Sequence, residues 1–266
     1  ASRPVKNPPR TEVRRNESSK LKVLSFKLPD NAISNLKLIT QNSKLSSPSR
    51  AEVRALVTMK QHYGMKPQQE DRVVNATVSV NVPHRGRGRL MAVLDGRWGL
   101  KTVETIASTL KMSFESALQK TKGNVGEALL KVIRVSGTLT KNMDSATTLS
   151  IVYVPEDEAR AYVATLGDSL VLIRVRNGKL WTGPIHNVRW NHKEQVAALR
   201  RGRSKGVFID SRGYITFQIN HREKRTHASR FLGGKEFEGV VSRDPEIYSI
   251  ELGEGSYIVV ATDGIV

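Results

Sequence analysis

The sequence predicts a layered α+β domain that is built mainly from antiparallel strands and follows a basic N-terminal segment. Apolar runs of strand length come first, two segments with helical spacing of apolar residues follow, and further strand-like runs complete the chain. This order differs from the regular alternation of strands and helices that indicates a parallel sheet.

Residues 1–60 are predicted to form a basic extended arm, and residues 61–266 the folded domain. The arm contains 13 Lys or Arg and 4 Asp or Glu, and it is rich in Pro, Ser and Asn. Its brief apolar clusters are too few to bury a core of their own. We expect extended structure there, with one short helix beginning near Ser49.

The first half of the predicted domain consists of a hairpin followed by two helices. The stretch "RVVNATVSVNV" alternates as a half-buried strand does, "HRGRGR" supplies a loop, and "LMAVLDG" is a continuous apolar run typical of a buried strand. Apolar side chains then recur at helical spacing from Val103 to Leu118. A second helix is expected to start at Asn124.

The second half is predicted to be a meander of strands interrupted by one helix. "TLSIVYV", "RAYVATLG", "DSLVLIRV" and "NGKLW" follow one another as strands, with Asn177 and Gly178 as a hairpin signal. "HKEQVAALRRG" has the pattern of a helix, and the predicted strands "GYITFQI", "EIYSIELG" and "SYIVVATDG" follow.

Composition narrows the possible functions. The formal net charge of +18 favours a polyanionic partner such as RNA, DNA or an acidic membrane surface. No apolar run reaches the length of about 18 residues that a membrane-spanning helix needs. The chain contains no cysteine, which excludes disulfides, thiolate zinc sites and cysteine catalysis.

Several motifs from about residue 61 to residue 266 resemble, in the same order, those of the metal-dependent serine/threonine phosphatases of type 2C, the PPM family. They are "GMKPQQEDR", "MAVLDGRWG", "SATTLSIVYV", "YVATLGDSLVLIRVRNGKL", "HNVRWNHKEQVAALRRG", "THASRFLGG" and "SYIVVATDGIV". The resemblance implies a four-layer αββα sandwich, in which two antiparallel sheets are flanked by helices. It also implies hydrolysis of phosphoserine or phosphothreonine.

The resemblance further implies a centre that holds Mg²⁺ or Mn²⁺. Carboxylates are ligands that these cations prefer, and coordination lowers the pKa of water from about 15.7 toward about 7, so that it can attack phosphorus. Asp95 would bridge two metals, Asp168 would bind an accessory ion, and Asp263 would bind from the last strand. The implied metal-site residues are Asp95, Gly96 through its carbonyl, Asp263, Asp168, and Glu70 and Asp71 through bound waters.

Departures from the family pattern indicate that this centre is degenerate. Arg97 stands where the family has the His that acts as general acid, and a guanidinium with a pKa above about 12 cannot donate a proton usefully. Lys66 replaces the phosphate-holding Arg and lacks its bidentate fork. Leu170 and Gly234 also depart from the pattern, and the sequence ends at Val266, before the family's closing Asp-Asn motif, so the domain is expected to be incomplete at its C-terminus.

A degenerate centre raises the question of what balances its carboxylates, because two unneutralised carboxylates in one pocket repel. We expect either one weakly held Mg²⁺ or a neighbouring cation, with Lys66 and Arg97 as candidates. We assign no catalytic residue, and Lys66 and Arg97 are the degenerate positions.

Other motifs give weaker hypotheses. "GDSL" at residues 167–170 resembles the nucleophile block of a family of serine esterases, but the Asp-x-x-His pair of those enzymes is absent from the sequence. His221 and His227, in "HREKRTH", are interpreted as part of a basic exposed loop, and the three tryptophans as packing residues.

The basic runs favour contact with phosphates that is independent of nucleotide sequence. We expect a catalytically defective phosphatase-like protein that serves as a structural or assembly component of an RNA–protein particle, such as the mitochondrial ribosome. Alternatives are an active metal-dependent phosphatase, and a pseudophosphatase scaffold in signalling without RNA. A start at Ala1 fits a processed mitochondrial protein or a trimmed chain, and the cytoplasm or nucleus is the other expected location. The predicted nucleic-acid-binding residues are Arg10, Arg14, Arg15, Arg85, Arg87, Arg89, Arg200, Arg201 and Arg203.

Overall fold

The structure is a computed structural model that describes residues 23–27, 54–58, 68–175, 178–253 and 255–263 of the 266-residue chain. Lys66, the arm residues Arg10, Arg14 and Arg15, and the helix predicted near Ser49 lie outside the described residues. None of the described helices is both long and apolar enough to cross a membrane.

The described residues form sixteen strands and three α-helices. The helices are α1 (Lys101–Lys120), α2 (Val125–Thr140) and α3 (His192–Arg201). In chain order the strands are β1 (Val23–Lys27), β2 (Arg54–Thr58), β3 (Arg72–Ser79), β4 (Arg87–Leu94), β5 (Gly96–Arg97), β6 (Ala146–Thr147), β7 (Leu149–Pro155), β8 (Arg160–Leu166), β9 (Leu170–Arg174), β10 (Leu180–Thr182), β11 (Phe208–Ile209), β12 (Ile215–Ile219), β13 (Arg222–Thr226), β14 (Leu232–Gly233), β15 (Glu246–Glu251) and β16 (Tyr257–Ala261).

Two five-stranded antiparallel sheets form the centre of the molecule. The first has the strand order β15-β8-β7-β4-β3, and the second has the order β10-β9-β16-β1-β2. Their facing side chains, such as Val93 and Val163 from the first sheet and Ile173 and Val260 from the second, form one buried apolar cluster. The alternation of strand residues therefore sends one set of side chains between the sheets and the other set outward.

The outward face of the first sheet is covered by α1 and α2. Residues of α1 at helical spacing, including Val103, Ile106, Leu110 and Phe114, are buried against this sheet. Asn124 caps α2, because its side chain accepts a hydrogen bond from the backbone N–H of Glu127 at 3.2 Å. The start predicted for the second helix is confirmed.

A smaller unit extends from the sandwich and contains α3 and the three-stranded sheet β11-β12-β13. Its own apolar cluster includes Ala198 of α3, Phe217 of β12, and Phe231 and Phe237. The minor sheet β14-β6-β5 connects this unit to the chain that follows β4. The smaller unit therefore lies close to the turn at Asp95 and Gly96.

The predicted α+β class with antiparallel sheets is confirmed, and two details differ from expectation. Strands β1 and β2 belong to the segment 1–60, and β1 pairs with both β2 and β16, so part of the predicted arm contributes to the second sheet. The run "HREKRTH", interpreted as a loop, contains β13, which pairs with β12 from Arg222 to Thr226. The many charges of β13 hide its strand character, because a strand exposed on one face tolerates them.

The packing of α1 predicts a large stability difference between two positions on that helix. Phe114 is fully buried with its ring 4.8 Å from that of Tyr153, whereas Met112 is 64% exposed. We expect Phe114→Ala to lower the free energy of unfolding by about 3–5 kcal/mol, because it leaves a cavity. Met112→Ala, the matched control, should change it by less than about 0.5 kcal/mol. Urea unfolding followed by circular dichroism measures both; equal effects would contradict the packing described.

Candidate active site

Three aspartates converge where strands of the two sheets end. Asp95 follows β4, Asp168 connects β8 to β9, and Asp263 follows β16. Their carboxylate oxygens lie within 4.8 Å of one another. Asp95 and Asp168 are only 8% and 3% exposed, while the Asp263 side chain is partly exposed. Such a cluster has the chemistry of a divalent-cation site.

The backbone around Asp95 is held in place by neighbouring groups. The Asp95 carbonyl accepts hydrogen bonds from the backbone N–H of Thr148 and from the Thr147 hydroxyl, each at 3.0 Å. A Cβ atom at Gly96 would lie 2.2 Å from the carbonyl oxygen of Glu70. Glycine is therefore required at position 96, because the chain that carries Glu70 passes directly against it.

The guanidinium of Arg97 lies among the three carboxylates. Its Nη2 atom is 2.9 Å from an oxygen of Asp95, 2.9 Å from an oxygen of Asp168 and 3.5 Å from an oxygen of Asp263. The Arg97 side chain is only 18% exposed. One cationic nitrogen thus contacts all three acids, and the expectation of a neighbouring cation is met by Arg97.

Burial and charge together shift the ionisation of this cluster. Burial alone would lower the pKa of Arg97, but the carboxylates of Asp168, Asp95 and Asp263 raise it above its ordinary value. Burial raises the pKa of Asp168, and the positive charge of Arg97 opposes that rise. Burial, followed by repulsion from Asp95 and Asp168, raises the pKa of Asp263 to about 7. Arg97 is therefore cationic throughout the neutral range, and one positive charge faces three acids.

The other implied metal-site residues lie beside the three aspartates. Glu70 accepts a hydrogen bond from the backbone N–H of Gly99 at 2.8 Å. Asp71 accepts one from the Thr262 hydroxyl at 3.4 Å, and its negative charge contributes to the raised pKa of Asp263. Both carboxylates thus border the centre and stabilise the segments that carry Arg97 and Asp263.

A cavity of about 490 Å³ opens beside this centre. Glu70, Arg97 and Trp98 form its wall on the sandwich side. Residues of the smaller unit form the opposite wall. Its lining residues are Gln68, Glu70, Arg97, Trp98, Tyr214, Arg225, Thr226 and His227. Its volume is within the range of about 300–1,000 Å³ that is usual for small-molecule sites.

The structure contains a second cluster that the sequence analysis missed. Ligand atoms of His186, Glu194 and Glu246 also lie within 4.8 Å of one another, but Arg230 Nη2 is 2.6 Å from Glu194 and 3.0 Å from Glu246. His186 Nδ1 accepts the N–H of Gly167 at 3.1 Å, so in the neutral ring Nε2 carries the proton. Hydrogen bonds from Arg230 and Ser229 outweigh the effect of burial and lower the pKa of Glu194.

The second cluster links α3 to the segment around Arg230 and to the first sheet through Glu246 of β15. An arginine already compensates both carboxylates, and a protonated Nε2 cannot bind a metal. We therefore interpret it as a structural network. Three of these residues lie in the motifs "HNVRWNHKEQ" and "THASR". No local pattern indicates that Glu194 pairs with Arg230, because the two are 36 positions apart in the sequence.

The predicted nucleic-acid-binding arginines fall into two groups within the described residues. Arg85 and Arg87, at the β3–β4 hairpin, contact Glu158 at 2.7 Å and Glu156 at 3.5 Å. Arg89 donates to Asn75 at 2.6 Å. At the end of α3, Arg201 donates to the carbonyls of Val240 and Ser229, while Arg200 and Arg203 are exposed. Arg85 and Arg87 thus have carboxylate partners and Arg89 has a neutral one, whereas Arg200 and Arg203 face solvent.

Comparison with known proteins supports the family indicated by the fold and the three aspartates. The family model described as "Protein phosphatase 2C" matches residues 56–266, so the chain belongs to the protein phosphatase 2C family. No curated protein matches the chain.

Solved structures agree in fold. A serine-threonine phosphatase 2C from Toxoplasma gondii has 17% identity and a TM-score of 0.58, with 75% of each chain covered. A sex determining protein of C. elegans has 18% identity and a TM-score of 0.59, covering 76% of this chain. The match spans only 50% of the C. elegans protein. A further phosphatase from Toxoplasma gondii has 15% identity and a TM-score of 0.54, covering 74% of this chain and 68% of that one.

The position of Arg97 predicts how its removal alters metal binding. Arg97→Ala leaves three carboxylates without their cation, and we expect a loss of about 3 kcal/mol in the free energy of unfolding. Millimolar Mn²⁺ should recover much of this loss in the variant, because a cation that binds only the folded state stabilises it. The same Mn²⁺ should leave the melting temperature of the wild-type protein unchanged.

Arg243→Ala is the matched control for this prediction, since Arg243 pairs with an exposed carboxylate of Glu238 at 2.5 Å. That substitution should cost less than about 1 kcal/mol and should not create a response to Mn²⁺. Differential scanning calorimetry with and without Mn²⁺ measures all three proteins. An equal rise in melting temperature for wild type and Arg97→Ala would contradict the assignment.

Proposed function

We propose that this chain is a noncatalytic member of the protein phosphatase 2C family in which Arg97 replaces the divalent cations of the centre. The observation that carries the proposal is the contact of one guanidinium nitrogen with Asp95, Asp168 and Asp263. A resident metal does not fit the donor set while Arg97 lies there, because the cation would meet a fixed positive charge at hydrogen-bonding distance from its ligands.

A guanidinium supplies charge compensation without supplying catalysis. It has donors but no acceptor and stays protonated at any physiological pH, so it cannot remove a proton from water. Unlike a bound metal ion, a guanidinium offers no coordination position at which water could lose a proton to form hydroxide at neutral pH. Arg97 additionally stands where the family pattern has the His that acts as general acid. The same side chain thus accounts for two losses of function.

Retention of the three aspartates favours one alternative, an active metal-dependent phosphatase. In that case Arg97 would leave the carboxylates when a metal binds, and its three hydrogen bonds would be lost. The low exposure of its side chain and its contacts with the three carboxylates oppose this movement.

We further propose that the protein acts as a structural or assembly component of an RNA–protein particle, with the mitochondrial ribosome as the specific hypothesis. The net charge of +18 supports a polyanionic partner. Proteins of the particle would be its other partners. A scaffold that binds proteins without RNA is the remaining alternative.

The first test concerns catalysis. The purified chain should hydrolyse a phosphopeptide and a chromogenic phosphate ester no faster than its Asp95→Ala variant, at millimolar Mn²⁺ or Mg²⁺. The Arg97→His variant should bind Mn²⁺, as measured by calorimetry, yet show no turnover, because this single substitution leaves Lys66 at the position of the phosphate-holding Arg. Metal-dependent turnover by the wild-type chain that disappears in Asp95→Ala would refute the noncatalytic assignment.

The second test concerns RNA. Because β1 and β2 belong to the second sheet, the arm is best tested by substitution of Arg14 and Arg15 by Gln rather than by deletion of residues 1–60. We expect this pair to weaken binding to a structured RNA and to reduce the slope of log affinity against log salt by about 0.7–0.9 per lost phosphate contact. Arg85 and Arg87, which pair with carboxylates, are the matched control and should have a smaller effect. Absence of RNA binding by the wild-type chain would leave the protein scaffold as the better hypothesis.

A further inference from the structure

A second cavity adjoins the one beside Arg97, and the two share a pair of stacked rings. The second cavity has a volume of about 620 Å³ and is lined by residues of the smaller unit, including Arg189, Asp210 and Arg212. Tyr214 and His227 line both cavities. Their ring centroids are 3.5 Å apart with an interplanar angle of 22°. The stacked rings of Tyr214 and His227 therefore lie between the two cavities.

The segment that surrounds these cavities is strongly basic. Residues 189–225 contain ten Lys or Arg and three Asp or Glu. Glu194 is buried and paired with Arg230, and Asp210 accepts the backbone N–H groups of Arg212 and Tyr214 at 2.9 Å. The ten basic residues still outnumber the three acids, so this segment carries an excess positive charge that attracts an anionic partner.

Aromatic side chains line these cavities or contact a residue that lines them. Trp190 is 60% exposed with the guanidinium of Arg189 at 5.9 Å from its ring centroid, and Arg225 lies 5.5 Å from the ring centroid of Tyr214. Trp98 is 47% exposed, yet it stacks on Phe237 at 4.7 Å and an interplanar angle of 8°. Aromatic rings and arginines thus lie next to one another. A surface of this composition can stack on bases and bind phosphates.

The backbone of Trp98 is held in a conformation that favours glycine. Its φ angle is +60°, which costs a residue with a side chain about 1 kcal/mol or more. The stack on Phe237 and the bond from the adjacent Gly99 N–H to Glu70 hold this turn. A large ring is therefore maintained at the cavity wall despite an unfavourable backbone conformation.

We propose that the two cavities form a binding site for single-stranded RNA, with bases stacked on Tyr214 and Trp98 and phosphates on Arg189, Arg212 and Arg225. This inference rests on the RNA-binding part of the proposed function and assigns it a site. It adds a face on the smaller unit to the contacts expected of the arm.

The chemistry of the lining favours a single strand over a duplex or a bare phosphate group. A base face reaches an aromatic ring only when that base is not enclosed in a double helix. Glu70 and Asp210 each place a carboxylate at one of the cavities. A carboxylate repels a phosphate but accepts a hydrogen bond from the amino group of a base. The combination suits a nucleotide chain, whose phosphates and base amino groups are separated in space.

The test uses the full chain and a fluorescent single-stranded RNA of about 12 nucleotides, with the corresponding duplex as competitor. Tyr214→Ala should weaken single-strand binding about tenfold, since one stacking contact is lost, whereas Tyr214→Phe should stay within about twofold of wild type. Duplex binding should change little in either variant.

A second variant, Arg225→Gln, tests the site with little risk of misfolding, because Arg225 is exposed and its one ion pair among the described residues, with Glu223, is 3.8 Å long. Its matched control is Arg174→Gln, an exposed arginine of the second sheet that lies 5.9 Å from the ring centroid of Tyr257. Each substitution removes one positive charge from above a tyrosine. We expect Arg225→Gln to weaken single-strand binding by at least about fivefold more than Arg174→Gln.

The outcomes separate this inference from the function on which it rests. If the wild-type chain binds RNA but Tyr214→Ala and Arg225→Gln behave like their controls, the site is wrong while RNA binding stands. If the wild-type chain binds no RNA, both are overturned. If a phosphopeptide binds, depends on Arg225 and is not displaced by RNA, the cavities serve a protein partner and the inference is likewise overturned.

Discussion

Compensation of three clustered carboxylates by one cation is the constraint on which the centre of this molecule depends. Two antiparallel sheets, packed face to face, end at the same place and deliver Asp95, Asp168 and Asp263 within 4.8 Å of one another. Such a cluster repels itself unless a positive charge lies within it. The Arg97 guanidinium meets that need from only two positions after Asp95, in the short strand β5, so the compensating charge is part of the fold.

An internal cation differs from a metal in what the rest of the chain must provide. A divalent ion would require open coordination positions and bound water, whereas the guanidinium needs acceptors at the distances that the carboxylates already offer. The surrounding residues are consistent with that role. Glu70 bonds the backbone beside Trp98, and Asn187 donates to the second oxygen of Asp168 at 3.2 Å, so their polar atoms stabilise the geometry around the arginine. The three aspartates thus lie together with a guanidinium among them.

Much of this architecture could be predicted from the sequence, because it depends on local patterns. The helical spacing from Val103 to Leu118 and the start at Asn124 identify α1 and α2, and the apolar runs identify the strands of both sheets. The charged residues of β13 conceal a strand, and nothing local indicates that β1 joins β16 across more than 200 positions. At the site, family resemblance marked the aspartates and Arg97. The direction in which Arg97 points, and the pairing of Glu194 with Arg230, depend on contacts between distant segments that no spacing rule contains.

The arginine that compensates the aspartates also lines the first cavity, so the loss of catalysis and the binding of RNA that we propose involve the same residue. In a phosphatase the wall next to the metals must release its product, so tight binding there would slow each cycle. Under the noncatalytic assignment that we propose, no reaction follows binding, so that requirement does not apply to a guanidinium fixed by three carboxylates. Trp98, the next residue, stacks on Phe237, and a ring that is already packed against another loses less entropy when a ligand stacks on it. The replacement of the metal by Arg97 that we propose would therefore leave a cleft suited to lasting association, as the proposed role in a stable particle requires.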